Sequence, residues 1–578
     1  MTASHKETKT TMAEDKPELG FNLDGILAEL GSFGKYQLLL LLLLAFRDSF
    51  LAMCNFHFVF TVAEVNYRCH VPECEYFNNS RYNASWSHFA LPDTGVCHRM
   101  VPYNESAGNM SVLMQHWNAS SEIWAQEKCT SRMFSEEETM PCRDLVYEDY
   151  NSMVAEFDLG CQPWKKTLVG TVHNLGLILS FVISGFISDR YGRKVIIVGT
   201  PLMVGVCGLL KSYSVDYWML LVLEFLEASL GYGNASLVLS LEAVNQNNRV
   251  IYSCISDSLA NFGAAFFGLI AWKVPYWRYM MRTIYAPLLI VVFYIFLVDE
   301  GVRWLFANKR EDEAVKIVHK VAKVNNVTLS YKAQDMLTKI KEEKSKADQD
   351  LEKPSQETMS IIFSDLRSRT ILLRVVLIAA CFFCTMFIYN GAILNAVHVS
   401  GNKYLNYSAM MLVAIPVRVI TALTFAKFGR KAPICVAYCF CSVFFIASAF
   451  VPKSLSWASI LLYVVAKMGS SYGMFAMFVV AVEVFPTTSR NSMVNIAQTV
   501  GRLGSVLAPQ TPLLTKYMDG LPSVVFGVVA LGPCLLSFFL PDTSKASLPD
   551  DVRAAESLDH TLGSDTQAVD KDMQKEQV

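Results

Sequence analysis

Arg418, Lys467 and Arg502 stand inside long apolar stretches that water would not reach. An ionised side chain in a bilayer costs about 2.5 to 3.5 kcal/mol even on a lenient insertion scale, so each needs a wet cavity or a partner. Counted from the end nearer the short basic loops, Arg418 and Arg502 lie roughly 13 and 18 Å deep at about 1.5 Å per residue. An arginine side chain of about 6 to 7 Å cannot snorkel that far. Guanidinium forks at such depth can hold a carboxylate or sulfonate through paired hydrogen bonds. Tyr389, Tyr472, Phe475 and Phe478 supply the apolar walls that a flat organic ion needs. The competing reading of the arginines is an ion pair within the second half of the chain, with Glu483 as the best local acid, and Lys467 is read as structural.

Acids sit in the other half: Glu224, Glu227, Glu242 and Asp257. Glu224 or Glu227 facing a cavity would meet an ammonium group, which would make a zwitterion or a cation the substrate. Asp189 with Arg190 and Arg193 around Gly192, Glu242 with Arg249, and Glu483 with Arg490 lie where loops meet helix ends, and read as pairs that latch a gate. Gly469-Ser470-Ser471-Tyr472-Gly473 has the spacing of a hydrolase nucleophile elbow, but it lies inside an apolar helix without a strand before it. Small residues there favour close helix packing. Neither a Walker A loop nor a His-Glu-x-x-His motif occurs, so the chain reads as no enzyme, with neither a cofactor nor a metal.

The elements that must position these residues are membrane helices. Of 578 residues, 52% are hydrophobic, more than one soluble core would hide, so the lipid bilayer must take the excess. Spans are predicted near 36–62, 165–188, 194–212, 217–244, 250–272, 279–298, 371–397, 404–426, 433–451, 455–482, 491–516 and 521–540. The first begins too deep in the chain for a cleaved secretory signal. Gly185-Phe186-Ile187-Ser188-Asp189-Arg190-Tyr191-Gly192-Arg193-Lys194 is a tight charged loop between two spans, and Ala426-Lys427-Phe428-Gly429-Arg430-Lys431 is its degraded copy. A duplicated six-helix unit explains the repeat. The expected fold is therefore an all-α membrane protein of twelve transmembrane helices in two pseudo-symmetric six-helix bundles.

Lysine and arginine bias places both termini in the cytoplasm. The expected divisions are a cytoplasmic N-terminus at 1–35, a bundle at 36–298 containing a loop at 66–163, a cytoplasmic helical linker at 299–370, a bundle at 371–545 and a disordered tail at 546–578. The loop carries Cys69, Cys74, Cys97, Cys129, Cys142 and Cys161, an even count that suggests disulfides while leaving 15 pairings open. It also carries glycosylation sequons at Asn78, Asn83, Asn104, Asn109 and Asn118, so it is expected outside the cell. Sequons at Asn234 and Asn326 fall in a helix and on the cytoplasmic side, and are expected to stay unused. The final Glu576-Gln577-Val578 is a weak candidate for a PDZ-type scaffold. A formal net charge of -2, with Lys and Arg confined to short loops, excludes nucleic acid.

The chain resembles the organic cation, organic anion and carnitine transporter branch of the major facilitator superfamily over about residues 31 to 545. Gly31-Ser32-Phe33-Gly34-Lys35-Tyr36-Gln37, the cysteine-rich loop closing on Asp158-Leu159-Gly160-Cys161, Trp277-Arg278, Asp299-Glu300-Gly301-Val302-Arg303-Trp304-Leu305 and Glu483-Val484-Phe485-Pro486-Thr487-Thr488-Ser489-Arg490-Asn491 carry the resemblance. It implies rocker-switch alternating access in the plasma membrane. Arg418, Arg502, Lys467 and Ala426 are similar to the anion carriers of the branch, which implies an organic anion as substrate and an exchanged dicarboxylate as its partner. Glu224 departs from the branch, which has arginine there, as do Ala228 in place of glycine and Asp299 in place of proline. A cation or zwitterion carrier is the runner-up, and a non-transporting receptor or sensor is the alternative from another class.

Overall fold

In the computed structural model of the chain, residues 23–541 are described except 32, 64, 76–79, 93–95, 103–128, 246–247, 309, 332, 335–336, 338–366, 400 and 487–489. Nine described helices are long and apolar enough to cross a membrane. They are α1 (Lys35–Thr61), α2 (Pro163–Tyr191), α3 (Arg193–Lys211), α5 (Ile251–Lys273), α6 (Trp277–Leu297), α7 (Arg369–Asn395), α8 (Lys403–Phe428), α9 (Lys431–Ala449) and α10 (Ser456–Val484). The other three expected spans are also helical but irregular. α4 is broken into Tyr217–Leu230 and Ala235–Glu242, α11 runs over Arg490–Leu507 and tightens into a 3-10 helix at Ala508–Lys516, and α12 covers Leu521–Ser537.

The expected continuous helix over 217–244 is thus corrected: Gly231 and Gly233 interrupt it where the backbone runs against Val204 and Ser184. Ser180 of α2 stitches the break, its Oγ accepting from the Tyr232 amide at 3.0 Å and donating to the Tyr232 carbonyl at 2.7 Å. A hydroxyl thereby supplies the two partners that the interrupted helix lacks.

Local chemistry sets the other boundaries. Pro163 opens α2, where a missing N–H costs nothing, and Gly192 closes it at φ 104°, a conformation that favours glycine. Gly429 takes φ 76° at the matching place between α8 and α9. Asn402 caps α8 by accepting from the Tyr404 amide at 3.0 Å.

The loop between α1 and α2 folds on two antiparallel pairs: β1 (Tyr67–Cys69) with β4 (Leu145–Tyr147), and β2 (His98–Pro102) with β3 (Phe134–Pro141). Six cysteines join as Cys69–Cys142, Cys74–Cys129 and Cys97–Cys161, with Cα separations of 5.3, 5.1 and 5.6 Å. Beneath the opposite end of the bundle, the helix Glu311–Asn325 docks on the start of α1: Asn325 accepts from the Tyr36 amide at 2.9 Å and donates to the Leu30 carbonyl at 2.8 Å. Tyr36 and Lys320 both hold Asp299, at 3.1 and 2.7 Å.

The largest apolar core gathers α1 to α6 and, at the loop-bearing end, draws in Ile393, Leu394, Tyr407, Met411 and Ala508 from the second half. Packing between the halves is therefore continuous at that end. Thr167 donates to Gln510 Oε1 at 3.0 Å, Gln510 donates to Thr171 at 2.7 Å, Ser408 donates to the Ala265 carbonyl at 2.8 Å, and Phe60 stacks on Tyr404 at 5.4 Å.

Candidate functional site

Midway along the bundle the second half presents its three bases. Lys467 of α10 is fully buried; its Nζ lies 3.1 Å from the centre of the Tyr389 ring and donates to the Tyr389 carbonyl at 3.0 Å. One turn further, Ser471 is buried with its Oγ unpartnered, and Phe475 lies another turn on beneath the Arg418 guanidinium at 5.5 Å. Lys467, Ser471 and Phe475 thus share one face of α10. Arg502 of α11 lies across the Phe181 ring of α2 at 3.4 Å. Neither Arg502 nor Lys467 has a carboxylate partner among the described residues. Beside them Asn390 donates to Ser505 Oγ at 2.9 Å, tying α7 to the face of α11 that also carries Arg502.

Arg418 is placed differently from the expectation that it stands open to substrate. It pairs with Asp257 of α5, so the ion pair joins the two halves, rather than lying within the second as the competing reading had it. The pair keeps partial access, with side chains 22% and 37% exposed. Tyr472 and Phe478 are not brought to this cluster. Tyr472 bonds Thr424 at 2.6 Å and meets Phe425 edge-on, and Phe478 turns outward. Ser471 sits in an unbroken helix, which removes the elbow geometry a nucleophile would need.

The ion pairs at these loops obey the repeat. After Gly192, Arg193 meets Asp189 at 3.0 Å and Glu242 at 3.4 Å; after Gly429, Arg430 meets Glu483 at 3.0 Å. Each half therefore ties the loop after its positive-φ glycine to the end of its fourth helix. Arg190 is exposed and lies over Tyr191 instead of joining the latch. Glu242, expected to meet Arg249, meets Arg193, and Glu483 meets Arg430; the Arg490 side chain lies outside the described residues. Glu300 was missed as a partner of this loop: it accepts from the Arg193 amide at 2.8 Å and the Lys194 amide at 3.2 Å, at the start of α3. A carboxylate there answers the positive helix terminus, and its place inside the Asp299–Leu305 motif was the available signal.

Glu224 and Glu227 do not face an open cavity. Both are fully buried and both meet Lys211 of α3, with the Glu224 contact at 2.7 Å. His57, His173 and Tyr285 complete that cluster, and neither they nor Lys211 were singled out in the sequence, because each lies alone in or beside an apolar run. Of the sequons, Asn83 is exposed on the loop, while Asn78, Asn104, Asn109 and Asn118 lie outside the described residues, as does the segment after 541.

The family model described as sugar (and other) transporter matches residues 125–550. The chain belongs to this family, within the major facilitator superfamily. It is 27% identical over 552 residues to the organic cation transporter protein of Drosophila melanogaster, covering 93% of this chain and 94% of that one. Solute carrier family 22 member 1 of Oryctolagus cuniculus is 27% identical over 93% and 95%, and solute carrier family 22 member 6-A of Xenopus laevis is 24% identical over 92% and 93%. The partially occluded inward-open xylose transporter XylE of E. coli shares the fold at a TM-score of 0.53 and 14% identity, over 87% of this chain and 99% of that one. The chain is a multi-pass membrane transporter of this type and not an enzyme.

Proposed function

We propose that the chain carries small organic anions across the plasma membrane by rocker-switch alternating access. The observation that supports this reading best is that no described carboxylate neutralises the fully buried Lys467 or the half-buried Arg502. A buried cation without a counter-ion is costly, and an anionic substrate would remove that cost. The rings of Tyr389 and Phe181 lie against these bases, and that of Phe475 against Arg418; such apolar faces suit a flat organic group. Arg418, clasped to Asp257 between the halves, would release that acid when a substrate carboxylate competes for its guanidinium, so that binding loosens one contact between the bundles. An exchanged dicarboxylate would suit two separated bases. The disulfide-linked loop is then extracellular and both termini are cytoplasmic.

A cation reading has its own support, Asp257 together with the name of the Drosophila relative. The deciding experiment is uptake of a labelled aromatic carboxylate and a labelled quaternary ammonium, each at two membrane potentials. Carboxylate uptake that Arg502→Asp reduces by about a hundredfold, at unchanged surface expression, is expected from loss of a buried charge-assisted contact of about 3 kcal/mol. Ammonium uptake alone would move the site to Asp257.

A further inference from the structure

The cluster around Glu224 is short of one positive charge. Two fully buried carboxylates, Glu224 and Glu227, face one ammonium, Lys211. The other groups around them are Tyr285, which donates to Glu227 at 3.1 Å, Tyr232, which does so at 3.3 Å, the nearby thiols of Cys54 and Cys207, and two imidazoles. Hydroxyls and thiols bring no charge. With neutral imidazoles the cluster would bury a net negative charge, and a low-dielectric site resists that.

The imidazoles are built to supply the missing charge. His173 Nδ1 lies 2.7 Å from Glu224 Oε1 and its Nε2 lies 3.2 Å from Asn55 Oδ1. His57 Nδ1 lies 2.8 Å from the Cys54 carbonyl and its Nε2 lies 3.2 Å from Glu224 Oε2. Both nitrogens of His173 face oxygen acceptors alone, whereas His57 Nε2 also lies 3.5 Å from the Lys211 ammonium, so His173 is the ring placed to carry two N–H groups. One proton on the His57–His173 pair balances the cluster. The ligand atoms of His57, His173 and Glu224 also lie within 4.8 Å of one another, as a metal site would require. Lys211 already donates to Glu224 at 2.7 Å, however, and an ammonium beside a divalent ion is repelled. A proton is the cation that fits.

The site is also connected to the moving parts. Phe58 packs on both imidazoles, at 5.5 and 5.8 Å, and its other side lines a recess at the loop-bearing end together with Thr167, Gly170 and Pro509. Thr167 belongs to the seam where α2 meets α11, and His173 lies less than two turns along the same helix. We infer that His57, His173 and Glu224 form a proton-binding site reached from that recess, and that transport is coupled to the proton held there. The proton passes from water in the recess to an imidazole nitrogen, reduces the net charge of the cluster, and returns to water when the halves rearrange. This rests on the chain being a transporter and not on the sign of its substrate.

The test uses the full chain in proteoliposomes, with labelled benzenesulfonate and labelled tetraethylammonium as probes and a pH dye in the lumen. Whichever probe moves is expected to do so at least about fivefold faster or slower under an imposed proton gradient, with a matching change of luminal pH. His173→Gln is expected to abolish that response, and the exposed linker variant His319→Gln to retain it. Equal rates with and without the gradient, at constant luminal pH, would overturn the proposal. If neither probe moves, the anion and cation readings suffer, and the proton site is decided by differential titration of the purified protein. Wild type should bind about one more proton than the His57→Gln/His173→Gln double variant near neutral pH. Identical titration curves, or stoichiometric zinc binding that His173→Gln removes with no difference in protons, would refute it.

Discussion

Arg418 and Asp257 form an ion pair that, on the proposed reading, would serve substrate binding and the contact between the halves at once. Each comes from a different half, so removing either charge leaves its partner unpaired in a partly buried setting, whereas removing both does not. Arg418→Ala and Asp257→Ala are each expected to lower uptake by about tenfold or more, and the double alanine variant to lose less than the product of the two. Additive losses in that cycle would mean that the two residues act separately. The arginine and the acid were both legible in the sequence as charges inside apolar stretches. Their partnership was not, because they are 161 residues apart and pairing across halves leaves no local pattern. His57 and His173 were illegible for a related reason: an isolated histidine in an apolar run carries no spacing to read.

At the scale of elements, the latches were legible as a repeat and the disulfides only as a count. Tyr191-Gly192-Arg193-Lys194 and Phe428-Gly429-Arg430-Lys431 mark the two loops, because a positive φ at glycine is a local demand. Cysteine pairing depends instead on how β1 to β4 fold back, which composition does not encode. Within that loop, burial pushes the His70 imidazole below its ordinary value, against the smaller opposing pull of Glu75 and Asp144. The unfolded chain therefore takes up a proton near pH ~6.5 that the folded loop holds more weakly. Stability is full above that pH and declines as the pH falls below it. Thermal unfolding of the whole protein is expected to show a loop transition that moves down between about pH 7.5 and 5, and His70→Gln should flatten that dependence. A wild-type transition that stays constant over this range would exclude His70 as its source.

On the scale of the molecule, the halves are joined at the loop-bearing end through Thr167, Thr171 and Gln510. Alternating access requires that seam to part. Cysteines at Thr167 and Gln510, cross-linked across the seam, are expected to reduce uptake by more than about tenfold, while each single cysteine leaves it near wild type. Unimpaired uptake after cross-linking would mean that the seam stays shut throughout the cycle. The two-bundle plan could be read from apolar stretches and the repeated hinge, since both are consequences of lipid as solvent. The break in α4 was hidden because Gly231 and Gly233 sit in a run hydrophobic enough to pass for a continuous span.

That break makes α4 a jointed rod, whereas its counterpart α10 is a single stiff one over Ser456–Val484. The upper piece carries Glu224 and Glu227, the lower piece ends on Glu242 with its Arg193 contact, and the Ser180 hydroxyl holds Tyr232 inside the joint. A torque applied at one end of a jointed rod need not reach the other. Charge around the upper piece and the ion pair at the foot of the lower piece therefore sit on separate rigid segments of one span.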